Sequence, residues 1–168
     1  MKKFLFLFLI SIFIIMIQSA VFARISIMGT SLDLVFVYII CFSLIRDSVE
    51  SVIVALFTGV IKDSLFPGLF GLNTLIYILI AYLVGFIQRR IYKDSIMIPS
   101  FFTFILTYIK GFIYIFFFHI MSYKFNIREY ALGIILLEAI YNSIVSILIY
   151  KLVLKFDSLR ILKHHWKF

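Results

Sequence analysis

Residues 98–120 read IPSFFTFILTYIKGFIYIFFFHI, an apolar run with a single charged residue, Lys110, near its middle. A helix of about 20 apolar residues crosses the hydrocarbon core of a bilayer. In lipid every backbone N–H and C=O must find a partner, which restricts spanning structures to helices and closed barrels. Barrel strands alternate apolar and polar residues, and this run does not. The stretch is therefore predicted to be a transmembrane helix.

The same character extends over the whole chain of 168 residues, of which 64% are hydrophobic and 14% are charged. A chain this apolar cannot hide its side chains in one soluble core, so its outer surface is predicted to face lipid. Apolar segments lie at about 4–23, 30–45, 49–66, 72–88, 98–120 and 129–153. The predicted fold is an all-α membrane protein, a bundle of about six transmembrane helices.

We assign residues 1–155 to the transmembrane domain and residues 156–168 to a basic, partly amphipathic cytoplasmic tail. The second and third segments are short for a bilayer core of about 30 Å. We expect them to be bounded by helix breaks, or to be packed so that protein shields the loop backbone.

The Lys and Arg residues orient the bundle. Six spans place eleven of them on the side of the termini and four on the other. Positive charge favours the cytoplasmic side, so both termini are predicted to be cytoplasmic in a multi-pass plasma-membrane protein. The same placement at helix ends argues against nucleic-acid binding, although the net charge is +8.

The first segment has a rival interpretation as a cleaved signal peptide. Lys2 and Lys3 precede an apolar stretch that ends at Val21-Phe22-Ala23, a cleavage-like sequence. Cleavage would leave five spans. Gln18 and Ser19 inside the segment, and the immediate onset of further spans, favour retention.

Two charged residues are predicted to meet inside the membrane. Lys110 lies ten residues before the end of span five, and Glu138 lies nine residues into span six, which runs the opposite way. Both therefore lie at similar depth, and buried charges usually pair. Asn142 shares the helix face of Glu138. The alternative is that these three residues form a site for a polar ligand or a proton.

The outer halves of spans two to four carry the candidate partner-binding residues. Asp33 is expected to cap a helix, and Asp63 either meets solvent at the interface or braces the outer loops. Small residues recur every four positions in spans three and four, which allows close helix packing. The predicted partner-binding set, which has internal packing as its alternative role, is Asp33, Gly59, Asp63, Pro67, Gly68, Gly71 and Asn73.

No enzyme signature is present in the sequence, which lacks a nucleotide-phosphate loop, a nucleophile elbow and a zinc-protease pair. Cys41 lies in an apolar run and is interpreted as a packing residue. The spacing of His119, His164 and His165 is not that of a usual metal site. We therefore expect a protein that is not an enzyme and that has no cofactor or metal.

Several motifs resemble one known family. They are Gln18-Ser19, the stretch SLDLV at 31–35, GVIKD at 59–63, GLFGLN at 68–73 and Arg89-Arg90. Together they are similar to MreD, the rod shape-determining membrane protein family of bacteria, whose span count and size fit nearly the full length. The family often has Pro before the first Asp, where this chain has Leu32.

The resemblance implies a non-enzymatic member of the cell-elongation machinery. Such proteins work with the bitopic protein MreC, the actin-like MreB, the polymerase RodA and a transpeptidase penicillin-binding protein. The family fold is similar to the substrate-binding subunits of energy-coupling-factor vitamin transporters. A vitamin-binding transporter subunit is therefore the alternative function, although the spans contain few polar groups and the single Trp lies in the tail.

Topology provides the first prediction. Reporter fusions after Lys93 and at the C-terminus are expected to report the cytoplasm, because the positive charges lie on that side. Fusions near Ser64 and Lys124 are expected to report the outside. An outside C-terminus would contradict the six-span arrangement and the depth argument for Lys110.

Overall fold

The computed structural model describes residues 2–22, 30–66, 68–88, 97–121 and 130–157, and within these ranges it contains six α-helices. The all-helical prediction is therefore confirmed for the described part of the chain. A π-helical segment, Gln18–Phe22, extends the first helix, and another, Tyr130–Ile135, precedes the last. The helices are α1 (Lys2–Ile17), α2 (Leu34–Ser43), α3 (Ser48–Leu65), α4 (Leu72–Ile87), α5 (Met97–Ile120) and α6 (Leu136–Asp157).

Two helical stretches are long and apolar enough to cross a membrane on length and composition, Met97–Ile120 and Gly133–Asp157. Three other apolar helices are shorter, at Leu5–Ala20, Leu34–Ser43 and Leu72–Ile87. The last two fall within the segments expected at 30–45 and 72–88. Of these two helices, α2 departs further from its predicted segment, because it begins at residue 34 and not at residue 30.

Five helix ends meet at one end of the bundle, which we call the turn end after the turn at 44–47. Arg46 forms ion pairs with Glu50 on α3 and with Asp157 at the end of α6. Gln88, at the end of α4, donates to Asp47 at 3.3 Å. The start of α1 reaches the same end, because the Phe6 and Phe156 rings lie 6.5 Å apart. The opposite end carries Phe66 and residues 68–71, and we call it the loop end.

Helix α2 is the centre of the bundle. Every one of its residues from Leu34 to Ser43 is buried, and a helix that is apolar all round is stable only in such a place. Ten residues rise about 15 Å, or half of a bilayer core. This short helix is therefore enclosed by the other helices along its whole length.

Helices α3 and α4 approach each other through glycine at both ends of their contact. A Cβ atom at Gly59 would lie 2.6 Å from the Thr74 Cα, and one at Gly85 would lie 2.7 Å from the Ser48 Cα. Small residues allow such approach between helices in lipid, where van der Waals packing favours association. The small-residue pattern in these two segments thus serves contact between α3 and α4.

Replacing Gly59 with Ala is expected to force α3 and α4 apart, because the new methyl group would overlap the Thr74 backbone. Overpacking of this kind costs about 1–3 kcal/mol. Gly68→Ala is the control, since no atom lies within 4 Å of a Cβ there. The measurement is the thermal unfolding midpoint of the detergent-solubilised variants. Equal midpoints for both variants would contradict the close contact.

Candidate functional site

The chain enters α2 inside the bundle, and side chains from other helices satisfy its backbone there. Gln18 donates from Nε2 to the Leu32 carbonyl at 2.8 Å and accepts from the Leu34 N–H at 2.7 Å. The Asp33 N–H donates to Asn142 Oδ1 at 3.0 Å. Non-helical backbone is tolerated at membrane depth only where protein or water meets its polar groups. These contacts therefore make a helix start possible in the interior.

The Asp33 carboxylate caps α2 and also forms ion pairs with two lysines. Its Oδ1 accepts from the Phe36 N–H at 3.1 Å, as expected of a capping residue. Lys62 Nζ on α3 lies 2.7 Å from Oδ1, and Lys110 Nζ on α5 lies 2.7 Å from Oδ2. Asp33 is thus the point at which three helices meet.

Lys110 also binds Glu138 on α6, with 2.6 Å between Nζ and Oε1. This is the contact that the sequence predicts from depth. We call Asp33, Lys62, Lys110 and Glu138 the charge cluster. Its side chains are between 6% and 17% exposed. An isolated charge in such a place is very costly, whereas two carboxylates and two ammonium groups neutralise each other.

Aromatic rings line the charge cluster. Lys62 Nζ donates to the Tyr77 hydroxyl at 2.6 Å. Lys110 Nζ lies 4.7 Å from the centroid of the Phe36 ring, and the Phe36 and Tyr77 rings stack at 5.6 Å. Cation–π contact is strongest where water is excluded. The rings therefore add to the stabilisation of both ammonium groups.

Asn142 connects the charge cluster to the contact between α5 and α6. Its Nδ2 lies 3.3 Å from Thr107 Oγ1 and 3.5 Å from Glu138 Oε1, and its Oδ1 holds the Asp33 N–H. The residue is fully buried. Both the oxygen and the nitrogen of the Asn142 amide therefore have partners within the protein, and the oxygen orients the start of α2.

A second polar site lies at the loop end around Asp63. Its carboxylate accepts from the Gly71 N–H at 3.1 Å, from Asn73 Nδ2 at 2.8 Å, and from Thr74 through both N–H and hydroxyl at 3.0 and 2.6 Å. Asn73 Oδ1 in turn accepts from the Tyr114 hydroxyl at 2.6 Å. Asp63 on α3 thus caps the start of α4, where a negative charge is favoured by unpaired N–H groups.

The structure brings some of the predicted partner-binding residues together and leaves others apart. Asp63, Gly71 and Asn73 come together, and Gly71 has a φ of +90°, which favours glycine. Gly59 is buried against Thr74, and Gly68 is exposed. Pro67 lies outside the described residues. A partner-binding role for this set stays a prediction.

Two expectations about the acidic residues need correction. Solvation at the interface is wrong for Asp63, which is 8% exposed, and a position in the outer half of the bundle is wrong for Asp33, which is 5% exposed. Asp33 lies instead at the level of Lys110, since α2 starts deep in the bundle. Asp63 follows the other interpretation, because it braces the loop.

Sequence reasoning missed Lys62 and Gln18 as members of the site. The charge tally counts Lys62 among the four outer residues, but its side chain is buried, with 8% exposed, and it pairs with Asp33. A signal was present for both, because each is a polar residue inside an apolar segment. The direction in which each points depends on helix packing, which the sequence pattern did not resolve.

Comparisons with known proteins identify one family. The model of the family described as rod shape-determining protein MreD matches residues 1–159 of this chain. No curated protein and no solved structure matches it.

Charge balance in the cluster yields the next prediction. Lys110→Met leaves one excess negative charge, and Glu138→Gln leaves one excess positive charge. Each single variant is expected to lose about 3–5 kcal/mol, because a buried charge loses its partner. The double variant leaves the Asp33–Lys62 pair neutral and is expected to cost less than the sum of the two.

The measurement is the amount of folded protein in the membrane, together with its unfolding midpoint. Lys151→Met is the control, since Lys151 is exposed. Additive effects would contradict the coupling. Loss of function with normal amounts of folded protein would favour the ligand or proton interpretation.

Proposed function

The chain belongs to the MreD family of rod shape-determining membrane proteins, and from this premise we propose that it is a scaffold of the bacterial cell-elongation machinery. In this proposal it controls cell shape and directs lateral peptidoglycan synthesis by binding partners, and it is not itself an enzyme. It lies in the plasma membrane as a multi-pass protein with both termini in the cytoplasm.

The proposed partners are those that family membership implies. An MreC-like bitopic protein is the expected direct partner. MreB, RodA and a transpeptidase penicillin-binding protein are expected to associate directly or through it. No nucleic acid is part of the proposal.

One observation supports a scaffold over a carrier of small molecules: the interior polar groups bind one another. The charge cluster contains two positive and two negative side chains in mutual contact. The Asp63 carboxylate accepts four hydrogen bonds from within the protein. Such saturated networks hold helices in one arrangement, which is what a fixed partner-binding platform requires.

The loop end supplies the proposed contact surface, formed by residues 64–66 and 68–73 and the outer halves of α3 and α4. Helix α2 is not part of it, because all its residues are buried. Phe70 is 75% exposed and Leu65 is 62% exposed, whereas Asp63 holds the backbone beneath them. Exposed aromatic residues on a rigid support are typical anchors of protein interfaces. In this proposal the buried residues around Asp63 position the loop backbone, and exposed residues such as Leu65 and Phe70 contact the partner.

The alternative function, a vitamin-binding transporter subunit, rests on the proposed likeness of the family fold to energy-coupling-factor subunits. A cavity between α1 and α6 is lined by aliphatic and aromatic side chains, and one between α5 and α6 adds Met97, Ser100 and Ser143 to such a lining. Specific small-molecule sites combine apolar walls with placed polar groups. These linings suit lipid chains better than a polar vitamin, so the scaffold is the better-supported proposal.

Phe70→Ala is expected to weaken capture of a co-expressed MreC-like partner by about tenfold, as loss of an interface anchor would. Phe86→Ala is the matched control, because Phe86 is a 69% exposed aromatic at the other end of α4. The measurement is partner recovered per unit of purified protein. Equal recovery with both variants, at normal membrane levels, would contradict the loop interface.

Asp63→Asn tests whether the carboxylate holds the loop backbone, whereas Phe70→Ala tests whether the loop contacts the partner. The change removes the charge at the start of α4 and is expected to lower the unfolding midpoint as well as partner recovery. Phe70→Ala is expected to leave the midpoint unchanged. A normal midpoint for Asp63→Asn would show that the carboxylate does not hold the loop.

A further inference from the structure

The Lys110 amine lies between two carboxylates in the interior of the bundle. Its Nζ is 2.7 Å from Asp33 Oδ2 and 2.6 Å from Glu138 Oε1. The Lys110 and Asp33 side chains are only 6% and 7% exposed, so both groups are held away from bulk water. A lysine can act as a nucleophile when a base lies within hydrogen-bond reach of it. Here the amine contacts one carboxyl group that it could attack and a second one that could serve as the base.

Glu138 is placed to act as that base. A lysine attacks a carbonyl carbon as the neutral amine, so its ammonium group must first give up a proton. The Glu138 carboxylate accepts a hydrogen bond from Lys110 Nζ at 2.6 Å, which is the distance of a direct proton transfer. The hydrogen bonds that Glu138 accepts from the described residues all end on Oε1. Its Oε2 is therefore able to hold a proton.

The Asp33 carboxyl group is held by donors on the oxygen that does not face Lys110. Its Oδ1 accepts from the Phe36 N–H at 3.1 Å and from Lys62 Nζ at 2.7 Å. Attack on a carboxyl carbon builds negative charge on an oxygen, and fixed donors in a water-excluded site stabilise that charge. Oδ1 is therefore the oxygen that is retained, and Oδ2, which contacts Lys110, is the oxygen that leaves.

Lys62 also contacts Asp33, but it has no base beside it. Its Nζ donates to Asp33 Oδ1 and, at 2.6 Å, to the Tyr77 hydroxyl. Among the described residues, Asp33 is the carboxylate within ion-pair distance of Lys62, whereas Lys110 contacts both Asp33 and Glu138. The geometry therefore distinguishes the two lysines, with Lys110 as the nucleophile and Lys62 as the positive charge that stabilises Oδ1.

We propose that Lys110 and Asp33 form an amide bond that joins α5 covalently to the start of α2. Glu138 takes a proton from the Lys110 ammonium group, and the amine attacks the Asp33 carboxyl carbon. The N–C bond forms and the bond from that carbon to Oδ2 breaks. Two protons of the ammonium group, passed through Glu138, leave with Oδ2 as one water molecule. Glu138 ends as the carboxylate that it was, and the step uses no oxidant, reductant or further reactant.

The bond leaves the charge cluster neutral. It removes one positive and one negative charge, and Lys62 and Glu138 remain as one of each. Buried charges are costly, so an amide in place of two of them lowers the cost of the cluster. The fold holds the reacting groups in contact, which makes an intramolecular reaction fast. Exclusion of water protects the product from hydrolysis.

The test is the intact mass of the full-length protein, purified from membranes in detergent and denatured before mass spectrometry. Lys110→Arg is the main variant, because it keeps the positive charge but has a guanidinium group that cannot be deprotonated. Lys151→Arg is the matched control, since Lys151 is exposed. Glu138→Gln removes the base. Protease digestion then locates the bond, because linked residues give a branched peptide.

The parent and Lys151→Arg are expected to be lighter than their sequence masses by one water molecule, and to yield a branched peptide that joins Asp33 to Lys110. Lys110→Arg is expected to have its full sequence mass. Glu138→Gln is expected to form the bond about 100-fold more slowly, as loss of a general base would cause.

The proposal is overturned if the parent has its full sequence mass, or if Lys110→Arg also lacks one water molecule. A branched peptide that joins Asp33 to Lys62 would overturn the choice of nucleophile. Bond formation in Glu138→Gln at the rate of the parent would overturn the role of Glu138. The mass and the branched peptide of the parent decide the main claim even if a variant does not fold.

Discussion

The whole arrangement depends on the neutralisation of one carboxylate, that of Asp33, deep among apolar helices. Asp33 caps the start of α2, where N–H groups lack helical partners, and its Oδ1 accepts the Phe36 N–H at 3.1 Å. A carboxylate in that place needs positive partners, and Lys62 and Lys110 both reach it. Lys110 brings Glu138 into the same network. The position of one cap residue thus fixes contacts among α2, α3, α5 and α6.

The contacts and helices that could be predicted from the sequence are those that depend on distance along a helix. The Lys110–Glu138 contact follows from counting residues in two long spans that run in opposite directions. The six helices follow from apolar runs and the breaks between them. The small-residue pattern at Gly59 and Gly85 indicated close packing, which the structure places between α3 and α4.

The part that could not be predicted depends on where a helix begins and which way its side chains point. Counting from residue 30 places Asp33 near the surface, but α2 begins at Leu34 and rises only about 15 Å from the turn end. Asp33 therefore lies at the level of Lys110. The role of Gln18 could not be predicted for the same reason. Its side chain binds the Leu32 carbonyl and the Leu34 N–H, and these groups face it only once α1 and α2 are packed together.

The charge cluster and the loop end are joined by rigid elements and direct hydrogen bonds. Helix α4 presents Thr74 to Asp63 and, less than one turn later, Tyr77 to Lys62. Helix α5 presents Lys110 to the cluster and, one turn later, Tyr114 to Asn73. Because both helices contact both sites, a shift of the loop backbone that moves α4 or α5 must also strain the contacts of Lys62 or Lys110. The buried charges are therefore linked to the loop end through α4 and α5.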